Sequence, residues 1–587
     1  MSRTAFIVGV FALAFTVAAA MAGNQTISTN TVWSGTVTVD GTVTVNSSAS
    51  LTIQPGTTVN FVGTGNITFS SAGLFSAQGT AAAPIQFNGT QTGYLAGNPT
   101  GVSLSNCAFS GLGTSSTKWL SLNPSSSSLG FSMTNCSATG NTNKFSTGGS
   151  GPVTISGCSL LDNGELDPWA NGNALVSITN NNIRGSMVWT QATSGSINVS
   201  HNVILNGTIW AKASSVNTTV VADNYIHDTA ANSQYGILYT VGQIYNNVVR
   251  GCTWNLSGSG GHVYNNVIES LTAADAAARG DGTHENVYPP TDNSVFERNL
   301  FLNACNSGSI MTNGTSVGTG VVFRNNTFDQ RGAVGRNSTA CFWLNHLATV
   351  TPTNGMNIRN NLFLRGGRMY DEMSHPDSAS YIDYNCWAGR TTDGWSGTSP
   401  TSPRFVNVSI TGKVEGDDGF GMHDTMLPTS ASGFDPASLV NNANFVDPYS
   451  DADMLAGMYT NAQLLALYQQ AYTPVAGSAL INAGSPTDAS DPAVAYGQID
   501  IGAIEVALLP GDANTDRKVT FADYIELERN FGATNATWAM GDFNGDGKVT
   551  FADYIILEGG FGKSVPEPMS LSLLIVGLAT LLRRKTH

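Results

Sequence analysis

A short phrase, asparagine followed by apolar or β-branched residues, returns nine times between Val176 and Trp387, and it constrains the fold more than any other feature of the chain. It stands at Asn182-Ile183, Asn202-Val203, Asn224-Tyr225, Asn247-Val248, Asn266-Val267, Asn299-Leu300, Asn326-Thr327, Asn361-Leu362 and Asn385-Cys386, at intervals of 20, 22, 23, 19, 33, 27, 35 and 24 residues. A β-prone run precedes each one, such as Val176-Ser177-Ile178-Thr179 or Val321-Val322-Phe323-Arg324, alternating as a half-buried strand does. A unit of about twenty residues cannot bury its apolar face alone; similar units stacked ~4.8 Å above and below it can. Asparagine suits the corner of such a coil, because its side chain tolerates the turn and hydrogen-bonds along a ladder of equivalents.

This pattern resembles the right-handed parallel β-helix family, which implies a mainly β solenoid over 24–507. Short alternations at Val37-Thr38-Val39, Val43-Thr44-Val45, Leu51-Thr52-Ile53, Val59-Asn60-Phe61 and Ile67-Thr68-Phe69 start it early. The run Leu51 to Val59, with Gln78-Gly79-Thr80 and Ala83-Pro84-Ile85, resembles the opening coils of secreted β-helix proteins. Ser478 to Gly484 and Asp500 to Glu505 resemble their closing coil, and Asn461 to Tyr472 reads as a packing or capping helix. Leu104-Ser105-Asn106-Cys107, Met133-Thr134-Asn135-Cys136 and Ile155-Ser156-Gly157-Cys158 align with Ile178-Thr179-Asn180-Asn181, so three cysteines stack as core filling. Seven cysteines in all leave at least one thiol unpaired within the chain.

Residues 1–22 carry Arg3, an apolar run from Ala5 to Ala20 and small residues at the end, which reads as a secretory signal peptide cut before Gly23. The 65 glycines and low charge favour turn-rich β structure. From Gly23 to Leu161 the charged residues are Asp40, Lys118 and Lys144, while charges gather at 269–298, 365–383 and 413–453, where projecting loops are expected. Over 24–507, 16 Lys+Arg against 30 Asp+Glu give −14, which argues against a nucleic-acid partner.

After the linker Leu508-Leu509-Pro510, a second repeat begins with a period of 30 residues: Asp512 to Ile525 is echoed by Asp542 to Ile555. Calcium takes six to eight oxygens, and side-chain oxygens at loop positions 1, 3, 5 and 12 with a carbonyl at 7 surround it. The spacing resembles the duplicated calcium-loop module called dockerin, a small α-helical, EF-hand-type unit placed here at 511–562. The resemblance implies Ca2+ ligands Asp512, Asn514, Asp516 and Asp523, then Asp542, Asn544, Asp546 and Asp553. Lys518 and Lys548 give carbonyls, and Thr520 and Thr550 stand at position 9. It also implies a cohesin-like partner. Two departures stand out: position 6 is Gly547 in the second loop but Arg517 in the first, and positions 10 and 11 are Phe-Ala in both rather than the usual polar pair.

The end, 565–587, joins Val565-Pro566-Glu567-Pro568, an apolar run from Met569 to Leu582 and Arg583-Arg584-Lys585. It resembles the PEP-CTERM sorting signal, which implies a transient transmembrane anchor and an exosortase-type processing enzyme at the cell envelope.

Candidates for chemistry cluster in Arg279-Gly280-Asp281-Gly282-Thr283-His284-Glu285 and from Arg365 to Asp377, which holds Arg368, Tyr370, Asp371, Glu372 and His375. A polysaccharide lyase needs a cation (Arg279, Arg365 or Arg368) against a uronate, with His284, His375 or Tyr370 as base and acid. A glycoside hydrolase needs two carboxylates, for which Asp281, Glu285, Asp371 and Glu372 offer themselves. Trp189, Trp210 and Trp254 follow their coil asparagines by seven or eight positions and line one face, as a sugar platform or as core. Two function classes stay open: an exported β-helix protein that binds or degrades polysaccharide, and a noncatalytic structural or adhesive matrix protein.

Overall fold

Alternating runs of three to five residues, separated by corners that need a left-handed backbone, fold into coils of three short parallel strands. The computed structural model describes residues 23–564 apart from 72, 214–217, 230–234, 272–274, 276–277, 279–284, 304–307, 315–319, 332–339, 347–356, 366–367, 373–380, 389–404, 407–424, 427–434, 486–487, 489–498 and 507–508. The expected signal peptide (1–22) and sorting segment (565–587) lie outside the described residues. Among the described residues no helix is long and apolar enough to cross a membrane. The chain divides into two compact units, 1–220 and 221–587.

In the first unit each strand pairs in parallel with the strand three further along, which builds three sheets. The first sheet opens with Gln25–Ile27 and Thr42–Val45, the second with Thr31–Trp33 and Leu51–Ile53, the third with Thr36–Val39 and Thr58–Phe61. The strands read from the opening residues are therefore present. Inward residues stack in columns: Ile155, Ile178 and Val199 pair in register and are fully buried. Phe87 and Phe109 stack at 4.8 Å, so identical chemistry repeats at the coil spacing.

The corner between second and third sheets carries the polar column. Cys107, Cys136 and Cys158 stand there as buried free thiols, in the stack expected of them. The Cys107 N–H donates to Cys136 Sγ at 3.4 Å, and the Cys158 N–H donates to Asn181 Oδ1 at 2.9 Å. The thiol column thus runs directly into the asparagine column. Its first asparagine is Asn181, where the cysteine alignment puts it, and not Asn182 of the repeat phrase, which opens the strand Asn182–Arg184. The reason is local: Asn180 takes the left-handed conformation, φ 57°, and the ladder residue is the one that follows it. Asn181 Nδ2 then donates to Asn202 Oδ1 at 2.9 Å.

The second unit repeats the scheme from Tyr225–His227 onward. Asn224 Nδ2 donates to Asn247 Oδ1, and the chain continues through Asn266, Asn299, Asn326, Asn361 and Asn385 at 2.9–3.1 Å per link. Each Oδ1 also accepts the backbone N–H of the preceding ladder residue, and each Nδ2 donates its other proton to a carbonyl, as Asn299 does to Val263 at 2.9 Å. Sequence intervals vary from 19 to 35, yet the links do not change. Residues ahead of the ladder (Asn246, Asn265, Arg298, Asn325, Asn360 and Tyr384) all have φ between 53° and 56°. Phenylalanines fill the interior beside it, Phe301, Phe328 and Phe363 stacking at 4.9 and 5.1 Å.

The helix expected over Asn461–Tyr472 is present, with a Thr460–Gln463 capping box, and it packs along the third sheet. The expected closing coil is not a coil. Residues 478–485 and 499–506 form no strand; they lie against the last coils, where the Gly502 N–H donates to the Asn360 carbonyl and Asn325 Nδ2 donates to the Asp500 carbonyl, both at 2.9 Å. Buried Asp500 organises this segment by accepting from the Asn482 and Val506 N–H groups at 2.7 Å, which takes the place of strand pairing.

Asn299→Ala takes the side-chain acceptor from the Asn266 backbone N–H and Nδ2 and the side-chain donor from Asn326 Oδ1 and the Val263 carbonyl, breaking four links in a dry corner. We expect a loss of about 3 kcal/mol in chemical denaturation, against less than ~0.5 kcal/mol for a surface asparagine. On the second sheet, burial raises the Glu297 carboxyl, but His262 at 2.7 Å and Arg324 at 2.6 Å outweigh it and hold it at about 2. A folded value below the ordinary 4.5 means stability present above that pH and lost as pH falls toward 2. Glu297→Gln therefore flattens the acid limb of the stability profile by on the order of 2 kcal/mol.

Candidate functional site

The two repeats at the chain's end build loop–helix units with matching internal geometry. In the first, Asp512 accepts from the Asp516 and Arg517 N–H groups at 3.1 and 2.8 Å, Asn514 Oδ1 accepts from Asp516, and Asp516 Oδ1 accepts from Lys518, both at 2.9 Å. The second repeats this thirty residues on: Asp542 accepts from Asp546 and Gly547, Asn544 from Asp546, and Asp546 from Lys548. Asp523 and Asp553, both fully buried, accept from the N–H groups of Asn514 and Thr520, and of Phe543, Asn544 and Thr550, so each ties its loop to its helix. Those helices run Phe521–Arg529 and Phe551–Gly560, and the same aspartates complete capping boxes with Thr520 and Thr550. The threonine hydroxyls, expected at position 9, act here as N-caps, accepting from Ala522 and Ala552 N–H.

Val519, Leu527, Trp538, Phe543, Val549 and Leu557 form a small shared core. Gly511 and Gly541 enter it symmetrically: a Cβ on either would stand 2.7–2.8 Å from the Cα of Leu557 or Leu527. Position 6 is left-handed in both loops, φ 66° at Arg517 and 78° at Gly547, which strains the arginine and suits the glycine. Burial, with Asp523 and Asp516 nearby, pushes the Asp512 carboxyl up to about 6, and burial raises Asp542 as well. Such a donor set, all oxygen and mutually repelling, fits a hard divalent cation. Among the described residues no three His, Cys, Asp or Glu side chains form a ready metal cage, so the fit rests on amide and carbonyl oxygens joining the carboxylates. Phe521 and Phe551, at position 10, stand 63% and 64% exposed and stack on Tyr524 and Tyr554.

Among the described residues the structure places Glu285, Tyr370 and Asp371 of the catalytic candidates. Arg279, Asp281, His284 and His375 lie outside the described residues. Glu285 is buried on the first-sheet strand Glu285–Tyr288, and Tyr370 and Asp371 stand on Arg368–Glu372. Val287, Ile310, Phe342 and Tyr370 share one column across four coils, which separates Glu285 from Asp371 by three coil steps, ~14 Å. Nor do the charges of 269–298 and 365–383 sit only on loops: Glu269, Glu297 and Arg365 occupy strands.

What the sequence reading missed is a charged column on the outer third sheet, three or four residues after successive ladder asparagines. His227, Arg250 and Glu269 pair in register, and Asp329 stands beside Arg365 two coils further on. The segment 443–472 lies over this column. Asp451 contacts His227 at 2.7 Å and accepts from Tyr225 Oη; Arg250 joins Glu269 and Asp447; Tyr468 Oη donates to Glu269 at 2.6 Å. Asp329, fully buried, accepts from Arg365 at 2.7 and 2.8 Å and from Tyr472 Oη at 2.6 Å. Burial raises the Glu269 carboxyl, yet Arg250 and Arg331 hold it below the usual range. A cavity of about 360 Å³ remains between His227, Arg250, Glu269, Arg331, Asn303 and Asp447. The charge that follows five of the nine asparagine phrases, at His227, Arg250, Glu269, Asp329 and Arg365, was the available signal.

Residues 510–559 match the Dockerin type I domain. Domains of this type bind calcium and cohesins. The chain as a whole is a mainly β parallel solenoid followed by that domain. No curated protein matches the chain.

Because Asp329 joins an arginine and a tyrosine in a dry contact, Asp329→Ala takes the carboxylate from a largely buried guanidinium and leaves it the neutral Ala443 and Asn444 oxygens. We expect a cost of about 3–4 kcal/mol, with limited proteolysis cutting 443–472 before any strand. Unchanged stability would show that the segment is held by other contacts.

Proposed function

We propose that the protein is an exported, envelope or extracellular solenoid that a calcium-loaded dockerin-type module attaches to a larger assembly, and that the solenoid binds or degrades polysaccharide. The observation that carries the attachment half is the duplication: two loops thirty residues apart aim the same four oxygen-bearing residues at the same backbone N–H groups. The module's partner is cohesin-like. Exposed Phe521 and Phe551 replace the polar pair, which supports a partner with an apolar contact surface. Export through residues 1–22, and a membrane stage ended by an exosortase-type enzyme at 565–587, complete this reading.

For the solenoid, the spread of Glu285, Tyr370 and Asp371 over several coils supports binding more than an acid–base pair among those three. The noncatalytic structural or adhesive role is the second reading, favoured by the same spread. Incubating the purified protein with uronic-acid and neutral polysaccharides, while following unsaturated ends and reducing ends, separates them. Bond cleavage supports an enzyme, retention on polysaccharide without cleavage supports a binding protein, and neither leaves the matrix role.

Calcium titration calorimetry is expected to find two sites, the Gly547 loop tighter than the Arg517 loop. Arg517→Gly, which relieves the left-handed strain, is expected to tighten the first site about fivefold. No calcium uptake, or a tighter Arg517 loop, would contradict the assignment.

A further inference from the structure

Charge is scarce in the first unit. From Gly23 to Val220 the residues Asp40, Lys118, Lys144, Asp162, Glu165, Asp167, Arg184 and Lys212 make up the whole Asp, Glu, Lys and Arg complement. Lys144, Glu165, Asp167 and Lys212 stand on or beside four successive strands of the first sheet: Phe145–Thr147, Leu166–Ala170, Val188–Ala192 and Ile209–Ala213. Inward residues of the last three (Leu166, Ala170, Val188, Ala192, Ile209, Ala211) are buried, so the alternate residues face out.

Those outward residues form two rows along the coil axis. One pairs Ser146 with Asp167 and, two strands on, Trp189 with Trp210; the other runs Trp169, Gln191, Lys212. Trp189 and Trp210 stack at 4.9 Å and 7°. Trp169 lies over Gly148 so closely that a Cβ there would be 1.9 Å from its ring, so the glycine is what gives the indole its place. Lys144 Nζ stands 5.8 Å over the Trp189 ring and 3.1 Å from Glu165. Ser146 Oγ donates to Asp167 at 3.4 Å, and burial, with Glu165 adding to it, raises that carboxyl.

A core-filling tryptophan would point inward; these lie half-buried on the outer face of the sheet, amid the hydrogen-bonding groups of Asp167, Gln191 and Lys212. Flat apolar rings beside carboxylates and an ammonium match the two faces of a sugar, its C–H surface and its hydroxyls. Four strands span three coil steps, ~14 Å, the reach of a short oligosaccharide. Lys144 is already paired with Glu165, and Asp167 would repel a uronate. We propose that this face, centred on Trp169, Trp189 and Asp167, binds a neutral glycan chain running along the solenoid axis. The proposal rests on the polysaccharide reading above and names its ligand class and place.

The test is calorimetry and tryptophan fluorescence on the full chain with cellohexaose, xylohexaose, mannohexaose and hexagalacturonate. At least one neutral hexaose is expected to bind. Trp189→Ala is expected to weaken it about tenfold and Trp189→Phe by less, while Gly148→Ala, which displaces Trp169, also weakens it. Arg184→Ala, which removes an exposed ion pair on the third sheet of the same unit, serves as the surface control and leaves binding unchanged. Neutral binding that ignores Trp189 and Gly148 would overturn this site and leave the polysaccharide reading standing. Binding of hexagalacturonate alone would overturn the ligand class. If no glycan binds the folded chain, here or in the polysaccharide panel, both readings fall together.

Discussion

One hydrogen bond, asparagine Nδ2 to asparagine Oδ1 in the next coil, recurs at 2.9–3.1 Å, and much else in the solenoid depends on it. A chain that turns a corner inside its own core strands backbone N–H and C=O groups away from water, and each costs about 1–3 kcal/mol if unmet. The ladder meets them by using both ends of a side-chain amide. It also fixes register: the left-handed residue ahead and the strand behind both take their positions from it, so columns of Ile, Val and Phe align without further instruction. Cysteine can occupy the same slot, as Cys107, Cys136 and Cys158 do, because a thiol also donates and accepts weakly.

With register set, outward residues recur at fixed offsets, and the faces of each unit acquire character. On the second unit's third sheet, charges fall in a column and take up the segment 443–472 through Asp447, Asp451, Tyr468 and Tyr472. In the first unit the first sheet gathers tryptophans and half of that unit's few charges. The loop pair at 512–553 solves a different problem with the same economy of parts. There the aspartate that closes the loop also caps the helix, so folding of the loop and of the helix are one event.

The solenoid was legible because its signal is periodic, and so were the Asn461–Tyr472 helix and the duplicated loops. Legibility failed where a feature depends on which of several similar residues takes a strained conformation. Among Asn180, Asn181 and Asn182 the phrase spacing pointed to Asn182 and the cysteine alignment to Asn181, and the left-handed backbone at Asn180 decides for Asn181. It failed too at the closing segment, where a strand-like run is held instead by the buried Asp500 carboxylate. The charged column escaped notice because its members are spread over 139 residues, from His227 to Arg365, although each follows an asparagine by three or four positions. Charge clusters in the sequence pointed to loops; register put Glu269 and Arg365 on strands.

Hydrogen–deuterium exchange on the full chain tests the central claim most directly. Backbone amides of Asn247, Asn266, Asn299 and Asn326, which donate to side-chain oxygens and not to strand neighbours, are predicted to exchange as slowly as the adjoining strand amides, with calcium or with chelator. Amides of Asp516, Arg517, Asp546 and Gly547 are predicted to lose protection only in chelator. Ladder amides that exchange as fast as exposed turns would contradict the account, because the corner would then be open to water and could not set the register.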